Sequence, residues 1–117
     1  ERCADVFSGK GPLVGAINQA TLVLEDRLRT IGNGGDKVGA PLVSYVLANE
    51  QAKSRVQIKG SAEEHEGIGH ICRGLVLAFR NPTHHKVADS YSREDALKVC
   101  AFIDTLLSVI ESATVHP

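Results

Sequence analysis

Residues 62–85 read AEEHEGIGHICRGLVLAFRNPTHH, and this stretch decides how the rest of the chain is read. Ile68, Ile71 or Cys72, Leu75 and Phe79 recur at steps of three and four, which is one apolar face of an α-helix. The helix should begin near Ala62 and end at Asn81-Pro82, because a proline disfavours helical geometry in the residue before it. Glu66, His70, Arg73, Leu77 and Arg80 also fall at helical steps and form a second, polar stripe away from the core face. The stripe leads to Arg80, and the turn at Pro82 then presents His84 and His85.

Outward from this segment, the same period recurs twice. Pro12 suits a first helical position, and Leu13, Ile17, Ala20, Leu24, Leu28 and Ile31 continue an apolar face up to Gly32-Asn33-Gly34-Gly35, a strong stop. Downstream, Ser92-Arg93-Glu94-Asp95 resembles a capping box. It opens a helix carrying Leu97, Cys100, Ile103, Leu107 and Ile110 to about Thr114. A shorter helix through Val43, Val46 and Leu47 is expected after Pro41. Residues 49–61 are polar and read as loop, with a brief strand-like alternation over Arg55–Lys59 that allows at most a short hairpin. The expected fold is all-α, an up-and-down bundle of about four helices. Residues 1–11 read as a lead-in, 12–114 as the helical domain and 115–117 as a tail.

Composition narrows the function. A chain of 117 residues is large enough for one core, and 43% hydrophobic with 23% charged residues is ordinary for a globular domain. A net charge of −1 gives no global basic field for wholesale nucleic-acid or membrane binding, although a local basic site remains compatible with it. No apolar run has the length of a membrane span. Cys3, Cys72 and Cys100 are odd in number and widely spaced, so they read as free thiols in a reducing, cytoplasmic setting. The sequence contains no methionine, and Glu1 is expected to be the start of an excised domain or processed product.

The chemistry-bearing residues cluster after the third long apolar stripe. Arginine offers a permanent planar fork of donors to a phosphate, and histidine can move a proton near neutral pH. Spacing alone favours the plainer alternative, in which Arg80 caps its helix end and the two histidines are solvated loop residues. Glu25 has two possible partners, Arg80 or, at i,i+4, Arg29. His65, His70, Cys72 and the histidine pair lack the paired spacing of a zinc site, so no metal is expected. Gly67, Gly69, Gly74 and Ala78 are small for a helix interior, where glycine costs about 1 kcal/mol relative to alanine. Close approach of another helix, within the bundle or across a dimer, would account for them.

Arg80-Asn81-x-x-x-His85 resembles the Arg-polar-x3-His motif of the HEPN superfamily. More narrowly, Leu24-Glu25-Asp26-Arg27-Leu28-Arg29 and Gly74-Leu75-Val76-Leu77-Ala78-Phe79-Arg80-Asn81-Pro82-x-x-His85 resemble the Ymh-type domain of hypothetical prokaryotic proteins, over roughly residues 12–113. The resemblance implies a helical homodimer, paired through the motif-bearing helices, that cleaves RNA without metal or cofactor in a defence or toxin system. It gives Arg80 the scissile phosphate, His85 the proton transfer and Asn81 the orientation of either. His84, Arg73 and Glu25 are the candidates for substrate binding around them. A tyrosine found in some toxin members two residues after the histidine is replaced here by Val87. The alternative is a non-catalytic dimerisation or nucleotide-binding module, consistent with the absence of a stacking aromatic beside the motif: Phe79 belongs to the core face, and Tyr91, the nearest candidate, lies beyond the loop.

Overall fold

The computed structural model describes residues 13–79 and 92–115. In chain order it contains α1 (Leu13–Gly32), α2 (Gly39–Val46), a 3₁₀ turn (Gln51–Lys53), β1 (Val56–Gln57), α3 (Ala62–Phe79), α4 (Arg93–Glu111) and β2 (Thr114–Val115). Among the described residues the fold is an all-α bundle of four helices with one small antiparallel sheet. Among the described residues no helix is long and apolar enough to cross a membrane.

α1 is the hub of the packing. It lies along α4 and also touches α2 and α3, and α2 packs on α3 as well. Its stripe of Ile17, Ala20, Leu24 and Leu28 is buried as the spacing predicts. Thr21 and Glu25 share this buried side. The helix ends in a Schellman turn. Asn33 takes the left-handed conformation (φ 54°), and the Gly34 N–H donates to the Arg29 carbonyl at 2.9 Å. Gly32 and Gly34 are fixed by the crossing of α2. A Cβ on Gly32 would lie 2.6 Å from Val46, and one on Gly34 would lie 2.5 Å from Leu42. Neither neighbour is a floppy surface side chain, since Val46 and Leu42 are both fully buried.

α2 begins at Gly39, two residues before Pro41, and buries Leu42 in addition to the expected Val43, Val46 and Leu47. The connection that follows is not the polar loop its composition suggests. Ser54, Val56 and Ile58 are all buried. The Ser54 hydroxyl accepts from the Ala48 N–H at 3.0 Å and lies 2.6 Å from the Val56 carbonyl, so it satisfies backbone groups that the core excludes from water. The alternation over Arg55–Lys59 does mark a strand, but its partner is not a local hairpin. Val56 pairs with Val115 and Gln57 with Thr114.

α3 starts with a capping box. The Glu64 N–H donates to the Ser61 hydroxyl at 3.1 Å, and the Ser61 N–H donates to the Glu64 carboxylate at 2.7 Å. Hydrogen bonding to the carboxylate, first from the Ser61 backbone N–H and second from the Ser61 side chain, holds the Glu64 carboxyl below its ordinary range. The buried line of α3 is His65, Gly69, Cys72 and Val76, turned slightly from the expected stripe. Cys72 rather than Ile71 is the core residue, and Ile71 is 38% exposed. Ile68 and Leu75 flank the line and pack against the core half-buried. The turn has a simple cause: the position facing the core in the first turn is a histidine, which an apolar pattern passes over.

α4 carries the expected capping box, with Ser92 and Asp95 reciprocally bonded. Its buried line is Ala96, Cys100, Ile103, Leu107 and Ile110, joined by Leu106. Leu97, expected in the core, is 50% exposed, because Ala96 one place earlier takes the contact. The helix stops at Glu111, short of Thr114, which is freed to pair with β1.

Candidate functional site

The motif residues Arg80, Asn81, His84 and His85 lie outside the described residues, as do Tyr91 and Cys3. What is described is the frame on either side. α3 runs to Phe79, and the Phe79 carbonyl accepts from the Asn18 side-chain amide at 3.2 Å. The end of α3 is thereby tied to the first part of α1, one residue before Arg80. α4 resumes at Arg93 from a fully satisfied cap.

The polar stripe of α3 is present as a connected chain. Glu66 and His70 approach to 3.4 Å, and His70 Nδ1 lies 2.8 Å from an Arg73 guanidinium nitrogen. Arg73 can only donate, so Nδ1 accepts and the ring proton sits on Nε2, toward Glu66. Arg73 also donates to the Leu47 carbonyl at 3.2 Å and to the Asn49 side-chain oxygen at 2.8 Å. Leu47 is the C-cap of α2, so a cation closes the end of that helix where its carbonyls point outward. Arg73 therefore already has a structural task in holding α2 to α3.

Glu25 is not on a solvated face. It is 2% exposed, lies 3.3 Å from Arg29 and accepts from the Gly39 N–H at 3.2 Å. Of its two expected partners, Arg29 is in place, while Arg80 falls outside the described residues. Arg29 in turn pairs with Asp26 and donates to the Lys37 carbonyl at 3.0 and 3.2 Å. This cluster binds the end of α1 to the start of α2. A buried carboxylate on a helix bearing an apolar stripe could have been noticed from spacing, since Thr21, Glu25 and Leu28 follow steps of four and three.

His65 is the buried polar residue that the sequence pattern missed. Its Nδ1 accepts from the Ile58 N–H at 3.1 Å and its Nε2 lies 2.7 Å from the Ala48 carbonyl. An acceptor at Nδ1 requires the proton on Nε2, which then donates to Ala48. The ring therefore pins the segments before and after the 3₁₀ turn onto α3. Cys72 and Cys100 are free thiols and buried. Burial pushes the Cys72 thiol up to about 12, against a smaller opposing pull from Arg73. Such a thiol is a core hydrophobe rather than a nucleophile. Among the described residues no group of three or more His, Cys, Asp or Glu side chains is arranged to hold a metal ion.

The small residues of α3 divide into two sets. Gly69 is buried, and a Cβ there would meet Arg73 at 3.4 Å and the Leu47 carbonyl at 3.6 Å, ordinary contacts that do not require glycine. Gly67 and Gly74 face open space within 4 Å. Together with exposed Ile71 and Leu77, the latter 72% exposed, they leave an apolar flank of α3 uncovered by this chain.

Among the described residues these features define a helical domain of four helices, in which residues 80–91 connect the third helix to the fourth. Over residues 3–110 the chain matches the family model Hypoth_Ymh, described as a protein of unknown function, and it belongs to that family. No curated protein and no solved structure matches it.

Proposed function

We propose that this domain is a metal-independent endoribonuclease of the HEPN type, working as a homodimer in a defence or toxin system. The observation that carries the reading is positional. Arg80-Asn81-x-x-x-His85 follows α3 with no intervening residue and precedes α4, in a four-helix bundle whose α3 terminus is tied to α1 by Asn18. In this reading Arg80 binds the scissile phosphate and opposes the charge that develops on it. His85 moves the proton, and Asn81 orients His85 or the phosphate. The substrate's 2′-oxygen forms a bond to phosphorus as its proton leaves to a base. The bond to the 5′-oxygen breaks, and that oxygen takes up a proton. The products are a 2′,3′-cyclic phosphate and a 5′-hydroxyl, and DNA is inert because it lacks the attacking hydroxyl.

The uncovered flank of α3, with Gly67, Gly74 and Leu77, favours a second reading, a dimerisation or nucleotide-binding module without catalysis. One experiment separates them: incubation of the purified chain with a mixed RNA pool in EDTA. Cleavage with cyclic-phosphate ends, lost in His85→Ala, is expected. Intact RNA in both EDTA and magnesium would reject the nuclease reading in favour of the module.

A further inference from the structure

Most described cations near a carboxylate are paired with one. Arg27 faces Glu111, Arg29 faces Glu25 and Asp26, Lys53 faces Glu50 and Lys98 faces Glu94. Lys37 and Arg55 are different. Both are exposed, and neither forms an ion pair among the described residues, yet they converge on one aromatic ring. The Lys37 ammonium lies 4.1 Å and the Arg55 guanidinium 4.7 Å from the centre of half-buried Tyr45. Each cation is attracted to the ring quadrupole, but gathering two like charges there without a counter-ion costs energy. Asp36, the neighbouring carboxylate in the loop, pairs with neither.

Both cations are also held in place from below. The backbone at Lys37 is fixed by the Arg29 fork on its carbonyl and by its own N–H to Gly34. Arg55 donates through Nε to the Gly32 carbonyl at 2.9 Å, leaving its two terminal nitrogens without a partner among the described residues. The loop before α2, α2 itself and the segment before β1 thus supply a preorganised pair of cations with unused donors. The Gly32 carbonyl is at one end of α1, whereas Asn18, which holds Phe79, is near the other. Fourteen residues of helix, at 1.5 Å each, put the pair roughly 20 Å from the end of α3 at Phe79.

We propose that Lys37, Arg55 and Tyr45 form a phosphate-binding clamp for the backbone of single-stranded RNA, separate from Arg80–His85. The clamp holds the strand while the motif acts on it. The choice of RNA rests on the function proposed above; the cationic clamp itself rests on the geometry. The arginine offers its free fork to phosphate oxygens and the lysine adds a point charge. A chain of net charge −1 thereby gains a local anion site without a basic surface.

The test is fluorescence anisotropy with a labelled single-stranded RNA 12-mer, titrated from 50 mM to 1 M salt. The protein is the full chain carrying His85→Ala so that the probe stays intact. Each lost phosphate contact lowers the salt slope by about 0.7. Lys37→Gln/Arg55→Gln should therefore lower the slope by about 1.4 and weaken binding roughly 10- to 100-fold at 50 mM, with the gap closing toward 1 M. Lys37→Arg/Arg55→Lys should keep the slope. If the double variant melts early, Lys37→Gln alone, a change to an exposed side chain, should still lower the slope by about 0.7. An unchanged slope overturns the clamp, as does failure of the chain to bind the RNA at all. Displacement by polyglutamate at equal charge overturns its assignment to phosphodiesters. RNA cleavage by the unmutated chain, scored separately, keeps the two proposals apart. Cleavage with an unchanged slope sinks the clamp alone. Binding that depends on Lys37 and Arg55 in a chain that never cleaves supports the clamp and sinks the nuclease.

Discussion

Replacing His65 by alanine should be among the most damaging single changes to this fold, although the residue is outside the motif. Its ring is fully buried, and both nitrogens serve backbone groups, the Ile58 N–H at 3.1 Å and the Ala48 carbonyl at 2.7 Å. Truncation strands both groups away from water at about 1–3 kcal/mol each. It also leaves a void where the imidazole stood. A total of about 3–5 kcal/mol is expected, which is a large share of the 5–15 kcal/mol typical of a domain. At about 4 °C per kcal/mol, the melting midpoint should fall by roughly 12–20 °C. Thermal and urea melts followed by helical circular dichroism measure this directly. His65→Gln, which can still donate to Ala48 but offers no ring nitrogen to Ile58, should lose about half as much. A loss under about 1 kcal/mol for the alanine variant would refute the reasoning, because it would mean the two backbone groups find other partners.

The remaining expectations concern other parts of the molecule. Gly34→Ala forces a methyl to within 2.5 Å of buried Leu42 and should cost about 1–3 kcal/mol in the same melts. The Glu64 carboxyl is held low by Ser61, so its contribution is present above the ordinary glutamate range and is lost as pH falls through its lowered value. An NMR titration should show Glu64 titrating below the ordinary glutamate range, and Ser61→Ala should shrink that lowering but not abolish it, because alanine keeps the backbone N–H that contributes most. Cys72 keeps its proton to about 12 when folded but only to about 9 when exposed, so this contribution is full below pH 9 and lost between about 9 and 12. At pH 8 a thiol reagent should label Cys72 only as fast as the chain opens, and fast modification mapped to Cys72 in the native protein would contradict its burial. For the proposed nuclease, His85→Ala and Arg80→Ala should each lower the cleavage rate about 10²–10⁴-fold with little change in melting, and His84→Ala much less. Cleavage that survives both changes would assign the activity elsewhere.

Helix identity was legible because three segments carry unbroken 3.6-residue periods between clear stops. The rotational phase of α3 was less so. His65 occupies a core position but counts as polar, so the apolar tally turned toward Ile68 and Leu75, which lie at the edge of the core. The stretch 49–61 was obscured similarly: Ser54 is buried because its hydroxyl satisfies backbone, a role that composition does not reveal. Ser61-x-x-Glu64 is a capping box by the same rule that identified Ser92–Asp95, and it was available to be read. The motif is a short-range pattern and needs no fold to be seen. The Lys37–Tyr45–Arg55 cluster has no pattern at all, since only the folding of α1 onto α2 and β1 brings the three together.

The two-residue sheet has a kinetic meaning beyond its size. Joining Gln57 to Thr114 closes a loop of 57 residues, at an entropic cost of about 3–4 kcal/mol if the intervening chain is unstructured. Two pairs of residues cannot repay that on their own. The strands should therefore zip only after α4 has docked on α1 and delivered the chain's end to β1. The clasp is a seal set on a finished assembly, and its amides should acquire protection from hydrogen exchange last among the ordered elements and surrender it first.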